Sequence, residues 1–251
     1  MRIVGIIPAR FKSTRLEGKP LADIAGKPMI HHVYDRVRQA HCLDDVFVAT
    51  DDARIEEAVR RFGGKVVMTS PSHPTGTDRV AEAAAGLAAD IVVNIQGDEP
   101  LLDPLLIEEC VAPFQRDSAV QISTVMKRVD RESAYDDPAV VKVVRDLDGR
   151  ALYFSRSLLP YPRNRTGDFN VCEHIGIYAF RKDCLLRFAQ LPPTPLERIE
   201  GLEQLRALEH GIPIHVVQTR CQCELVSVDT PDDLERVRRI LAEGAKRKCR
   251  A

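Results

Sequence analysis

The sequence predicts an α/β fold with a doubly wound, mostly parallel central sheet and an antiparallel excursion in its second half. Three observations carry that prediction. Short apolar runs alternate with amphipathic helical segments through the first half, the pattern of parallel strands wrapped by helices. The run Asp90 to Gln96 is apolar enough for the middle of a sheet covered on both faces. In the second half, the turn signal Asp146-Leu147-Asp148-Gly149 separates two extended segments and marks a β-hairpin.

Each element has its own justification. Ile3 to Ile7 is a buried first strand, followed by a long loop from Pro8 to Pro20. Met29, Ile30, Val33, Val37 and Ala40 share one helical face, giving a helix from about Met29 to Ala40. Asp45 to Thr50 is the next strand, and Ile55, Ala58, Val59 and Phe62 mark a helix that Gly63-Gly64 stops. Lys65 to Met68 is a short strand, Asp78 to Ala88 an Ala-rich helix, and Asp90 to Gln96 the central strand. Gln121 to Lys127, Ala139 to Arg145 and Arg150 to Phe154 read as extended. A strand at Ile175 to Phe180 leads to a helix near Lys182 to Leu191, ended by Pro192-Pro193. Leu196 to His210 is expected as one helix ended by Gly211, with Glu203 and Gln204 on its wet flank. Leu225 to Val228 is expected as a last strand. Thr230-Pro231-Asp232-Asp233 then supplies a capping Thr, a Pro at the first helical position and an acid three residues after the cap.

Composition bounds the partners. The 251 residues hold 36 Lys plus Arg against 37 Asp plus Glu, a net charge of −1, so no general affinity for nucleic acid is expected and electrostatic work must be local. The apolar run after Met1 is too short, and too soon ended by Pro8, for a signal peptide or membrane span, so a cytoplasmic protein without membrane partners is expected. The seven cysteines are scattered without a C-x-x-C pair, and reduced thiols are expected. No linker or repeat divides the chain. A single α/β domain over residues 1–251 is expected, its antiparallel region at about 120–220.

Three loops carry candidate chemistry. Pro8 to Pro20 contains Arg10, Lys12, Arg15 and Lys19 with Ser13 and Thr14, and it follows the first strand, where ligands of such sheets bind. Guanidinium, ammonium and hydroxyl donors suit a polyphosphate, although a solvated basic loop has the same composition. The loop is neither a Walker A motif nor a G-x-G-x-x-G fingerprint. Gln96-Gly97-Asp98-Glu99-Pro100 ends the central strand and would put a carboxylate at the same edge, a suitable magnesium ligand beside a triphosphate. His73-Pro74-Thr75-Gly76-Thr77-Asp78-Arg79 enters a helix whose N–H groups suit an anion or a base edge, and capping by Thr77 would equally explain it. Cys221 and Cys223 with His215 fit no common zinc spacing.

Together these segments resemble a known family. Ile7-Pro8-Ala9-Arg10, Ser13-Thr14-Arg15-Leu16, Gly18-Lys19-Pro20-Leu21, Gly76-Thr77-Asp78-Arg79, Gln96 to Pro100, Tyr153 to Arg156, His174 to Tyr178, Glu203 to Arg206 and Val228 to Pro231 resemble, in order, the motifs of the CMP-Kdo synthetases, the 3-deoxy-manno-octulosonate (Kdo) cytidylyltransferases. The resemblance implies a nucleotide-diphospho-sugar transferase-like fold and transfer of CMP from CTP to Kdo for lipopolysaccharide biosynthesis. It implies that Arg10, Ser13, Arg15 and Lys19 hold the triphosphate and that Gly76 and Arg79 frame the cytidine. Asp98 and Asp229 are implied magnesium ligands, so that Arg10, Lys19 and Asp98 form the catalytic set. Gln96, Arg156, His174, Tyr178, Glu203 and Gln204 are implied to surround the acidic sugar, and a homodimer through the antiparallel region is implied as well. Glu17 departs from the family, which usually has Pro there. A cytidylyltransferase for 8-amino-Kdo or sialic acid, a glycosyltransferase and a non-catalytic nucleotide-binding module are the alternatives. Against a glycosyltransferase, Asp98-Glu99 supplies no D-x-D-like arrangement.

Overall fold

The computed structural model describes all residues except 13–15, 130–131, 164–168, 223–224 and 249–251. In chain order its elements are β1 (Ile3–Ala9), a small hairpin of β2 (Asp23–Ile24) and β3 (Lys27–Pro28), α1 (Met29–Val37), β4 (Asp45–Thr50), α2 (Ala53–Arg61), β5 (Lys65–Met68), α3 (Gly76–Ala85) and β6 (Ile91–Asn94). Then follow α4 (Pro104–Arg116), β7 (Ile122–Arg128), β8 (Lys142–Arg145), β9 (Ala151–Ser155), β10 (Cys172–Arg181), α5 (Lys182–Phe188), α6 (Pro195–Glu200), α7 (Gln204–Glu209), β11 (Ile214–Gln218) and α8 (Pro231–Lys248).

Two compact units result, one of Met1–Ile107 with Gln222–Ala251 and the other of Glu108–Cys221. The first unit is the parallel one. β1 pairs in parallel with both β4 and β6, and β4 pairs in parallel with β5. Every residue of β6 is buried, as its unbroken apolar run requires of a strand covered on both faces. Val4, Ile6, Ile7, Val92 and Val93 are fully inaccessible, and each such side chain contributes roughly 1.5–3 kcal/mol of burial free energy. α8 closes this unit by packing Leu234 and Val237 with Ile24, Met29 and Val228. Its expected cap is present: Thr230 Oγ1 accepts from the Asp233 N–H at 3.2 Å, and Asp233 Oδ2 accepts from the Thr230 N–H at 2.9 Å.

The second unit holds the antiparallel excursion. β10 runs antiparallel to β7, β8 and β9 form the expected hairpin, and β11 adds in parallel to β7.

Several expectations change. The helix expected over Leu196 to His210 is two helices, because Gly201 caps α6 with a left-handed φ of 62°, a conformation that favours glycine. The break reverses the expected burial: Ile199 is 79% exposed while Gln204 is only 8% exposed. The helix after His73 starts at Gly76, capped by Thr75 rather than Thr77, and Thr77 itself is buried. Residues 225–228 form no strand, although the Val228 N–H reaches the Asp98 carbonyl at 2.9 Å. β11 and α4 are additional elements; Pro113 lies inside α4 and interrupts its helical signal. Cys42, Cys110, Cys172 and Cys184 are free thiols as expected, whereas Cys221 is disulfide-bonded. Among the described residues no helix is long and apolar enough to cross a membrane.

Candidate active site

The first unit contains a cavity of about 610 Å³ built at the carboxyl ends of β1 and β6 and at the starts of α3 and α8. Chain ends of parallel strands converge there because βαβ connections leave the crossover loops on that edge. β1 delivers Pro8, Ala9 and Arg10, and the segment after β6 delivers Gln96, Gly97 and Asp98. These two segments nearly touch. A Cβ at position 97 would sit 2.7 Å from the Pro8 carbonyl oxygen, so only glycine permits this approach.

Lys19, Asp98 and Asp229 form the centre of the cavity wall. Lys19 Nζ donates to Asp98 Oδ2 at 2.8 Å and to Asp229 Oδ1 at 3.1 Å. Residues from three separate segments thus meet at one ammonium group. The two carboxylates lie within hydrogen-bond reach of a single cationic atom, so the pair is a donor set that accepts a small hard cation. Among the described residues no cluster of three or more His, Cys, Asp or Glu side chains is placed for a metal, and an ion here would draw its other ligands from phosphate oxygens and water.

The other expected nucleotide residues fall in the same wall. Arg10 and Lys12 are exposed and line the cavity, as Gly76 does from the first turn of α3. Arg79 also lines it but is 4% exposed, and its guanidinium is engaged by Thr69 Oγ1 at 2.6 Å and Asp51 Oδ1 at 3.0 Å. Its side chain therefore braces the start of α3 against the β4 and β5 ends. Ser13 and Arg15 lie outside the described residues. Glu17 is exposed on the cavity lining and is electrostatically coupled to Arg54, which stacks on Phe11 with 3.3 Å from guanidinium carbon to ring centroid. His73 lines the cavity too, and its Nε2 bonds to Glu82, holding the Glu82 carboxyl below its usual pKa range. No sequence argument assigned His73; its place in the loop before Gly76 was the available signal.

Gln96 belongs to this cavity, whereas the remaining five expected sugar residues belong to the second unit. His174 and Tyr178 lie on β10 with ring centroids 5.3 Å apart, and Phe154 meets His174 edge-on at 5.0 Å. Burial lowers the His174 pKa to about 3, so its imidazole is neutral. Burial, reinforced by the nearby Glu203 carboxylate, pushes the Tyr178 phenol well up. Glu203 precedes α7 and Gln204 opens it, which brings both to the same neighbourhood through the break at Gly201.

Arg156 follows β9 and is held by backbone oxygens, its Nε donating to the Glu200 carbonyl at 2.8 Å and one Nη to the Pro138 carbonyl at 2.8 Å. Glu200 also accepts from the Arg156 N–H at 3.0 Å and from the Ser155 hydroxyl at 2.7 Å. Beneath it lies Lys142, fully buried, whose Nζ donates to the carbonyls of Asp137 at 2.7 Å and Arg156 at 2.9 Å. Burial lowers the Lys142 pKa. A directional network fixes the backbone that carries Arg156.

Comparison with known proteins identifies the family. Residues 4–214 match the family model described as Cytidylyltransferase. A putative glucose-1-phosphate thymidylyltransferase from Bacillus anthracis shares the fold with a TM-score of 0.66 at 17% identity, covering 95% of this chain and 94% of that one. The family match over residues 4–214 makes the chain a nucleotidyltransferase. A relative from Geobacter sulfurreducens named 3-deoxy-manno-octulosonate cytidylyltransferase is 53% identical over 247 residues, covering 94% of this chain and 98% of its own. A solved structure of CMP:2-keto-3-deoxy-manno-octonic acid synthetase complexed with CTP matches with a TM-score of 0.92 at 44% identity, covering 97% of this chain and 100% of that one. The chain belongs to the 3-deoxy-manno-octulosonate cytidylyltransferase family, as the ordered motifs imply.

Proposed function

We propose that this protein activates Kdo by transferring CMP from CTP, giving CMP-Kdo and pyrophosphate for lipopolysaccharide biosynthesis. The observation that carries the reading is the convergence of Lys19, Asp98 and Asp229 in a cation-lined cavity at the parallel strand ends, in a chain of this family. Arg10, Lys12 and Lys19 supply positive charge for the triphosphate, joined by Arg15 and by the hydroxyl donor of Ser13 in the same loop. Gly76 offers a backbone surface for the cytidine, while Arg79 keeps that helix start in place. Asp98 and Asp229 would hold magnesium. When bound, the ion neutralises charge on the phosphate oxygens and lowers the pKa of a hydroxyl it contacts.

Reaction by in-line displacement needs no protein nucleophile. The anomeric hydroxyl oxygen of Kdo forms a bond to the α-phosphorus, the bond from that phosphorus to the bridging oxygen breaks, and pyrophosphate leaves with that oxygen while the hydroxyl proton passes to solvent. Positioning and charge stabilisation supply the rate. Lys19, which bridges the two carboxylates in the free protein, would transfer its ammonium to the phosphates and with Arg10 stabilise the leaving pyrophosphate. Arg156 would orient the sugar carboxylate, and His174, Tyr178, Glu203, Gln204 and Gln96 its hydroxyls.

Pyrophosphate release requiring CTP, Kdo and magnesium together tests the reading; no release with any octulosonic acid defeats it. A homodimer through the second unit is part of the same proposal. Its support is the exposed apolar set Leu147, Leu152, Tyr161 and Ile199, all in that unit. Sedimentation equilibrium of the wild type against Ile199→Lys with Leu152→Lys tests it, and a monomeric wild type refutes it.

A further inference from the structure

We infer that Thr124 is a positioning residue: its hydroxyl fixes His174 as the Nε2–H tautomer, so that Nδ1 is presented as a hydrogen-bond acceptor for a hydroxyl of the sugar. This rests on the assignment of His174 to the sugar.

The geometry begins with a bulge. β10 and β7 pair residue by residue as far as Ile175 opposite Val125, and pairing resumes with Tyr178 opposite Thr124, so Gly176 and Ile177 are extra on β10. Thr124 is fully buried and fills the irregularity. Its Oγ1 lies 2.7 Å from the Ile177 carbonyl oxygen, 3.3 Å from the Ile175 carbonyl oxygen and 2.9 Å from His174 Nε2.

Proton counting then fixes the imidazole. A hydroxyl has one proton and two lone pairs, whereas a carbonyl oxygen only accepts. The Thr124 proton therefore goes to Ile177, the shorter carbonyl contact. What Thr124 offers His174 is a lone pair, and Nε2 must carry the hydrogen. The opposite assignment would set the Thr124 lone pairs against the Ile177 oxygen 2.7 Å away in a buried place and leave that oxygen only the weak Cys110 thiol donor at 3.9 Å. A neutral imidazole with its proton on Nε2 has a lone pair on Nδ1. The neutrality follows independently from the burial that depresses its pKa. Phe154, edge-on, and Tyr178 flank the ring and fix its plane, so the direction of that lone pair is fixed as well. The ring remains half-buried, not sealed. A polyhydroxylated acid is a ligand whose hydroxyls need acceptors, and Thr124 turns an ambidextrous side chain into one.

The test pairs spectroscopy with kinetics. In protein carrying 15N-labelled histidine, the long-range proton–nitrogen spectrum of the wild type should show His174 protonated on Nε2 and bare on Nδ1. Thr124→Val should lose that pattern, and Thr124→Ser, which keeps the hydroxyl, should retain it. Thr124→Val should raise KM for Kdo about tenfold with KM for CTP unchanged, the loss of one oriented hydrogen bond, while Thr124→Ser stays within about twofold of wild type. A wild-type His174 protonated on Nδ1 overturns the proposal, and that spectrum serves even if Thr124→Val fails to fold. If His174→Gln raises KM for Kdo and Thr124→Val does not, the positioning role is wrong. If neither changes it, the sugar assignment of His174 is what fails.

Discussion

The candidate phosphate residues of the first unit and the candidate sugar residues of the second are set in different surroundings. At the cavity of the first, Arg10 and Lys12 stand in solvent, while Lys19, with 15% of its side chain exposed, is paired with Asp98 and Asp229. In the second, Lys142 is fully buried, and burial pushes the Lys142 ammonium and the His174 imidazole toward their neutral forms. The difference follows from what each is proposed to hold. A triphosphate is attracted by accessible cations at a distance, whereas a sugar is recognised by donors and acceptors whose directions are fixed by their neighbours.

The sharpest way to break the comparison lies in the first unit. Asp98→Asn should leave a folded protein whose turnover falls about a hundred- to thousandfold. Near-normal rates at saturating magnesium would remove Asp98 from the metal set. Lys19→Met should lower kcat about a hundredfold, yet it removes the ammonium that competes with a cation for the two carboxylates, so Mn2+ should bind the nucleotide-free variant about tenfold tighter than wild type by electron paramagnetic resonance titration. Equal binding would show that the ion pairs of Lys19 do not compete with the cation.

Changes in the second unit should separate recognition from stability. His174→Gln should raise KM for Kdo about tenfold without altering KM for CTP. The same variant should flatten the acid side of the stability profile. The folded pKa of about 3 lies below the usual histidine value of 6.5, so the unfolded state binds more protons between them, and wild-type stability falls as pH drops through that window. Urea melts at pH 7 and pH 4 check the sign. Lys142→Met should take the ammonium donor from the Arg156 carbonyl, while the Asp137 carbonyl keeps the Val140 N–H at 3.2 Å, and cost about 1–3 kcal/mol, read as a lower Tm.

The smallest effect belongs to Glu17. Because it is exposed beside Arg54, Glu17→Pro should shift KM for CTP by no more than about twofold. A large drop would mean that this carboxylate repels the triphosphate.

Much of this was legible without a structure. β1, β4 and β5 lie within a residue or two of their apolar runs, and the acid-capped start of α8 is where Thr230-Pro231 signalled it. The cavity residues were legible one loop at a time. Less legible was the segment 195–209, where Leu196, Ile199, Leu202, Leu205 and Leu208 keep helical spacing while one left-handed glycine breaks the helix and exchanges its faces. Thr124 carried no signal, since a Thr in a strand is ordinary and its bulge partner lies 53 residues away.

Sequence alone determined the alternation of strands and helices, the caps, the family motifs and the types of donor available for a phosphorylated ligand. These are set by neighbours a few residues apart, through side-chain periodicity and local hydrogen bonding. Only the tertiary structure decided that Lys19 meets Asp98 79 residues away and Asp229 210 residues away, and that Gln204 is buried while Ile199 is not. Those outcomes depend on the order in which strands pair and on where a helix breaks, and a single chain written in one dimension does not state either.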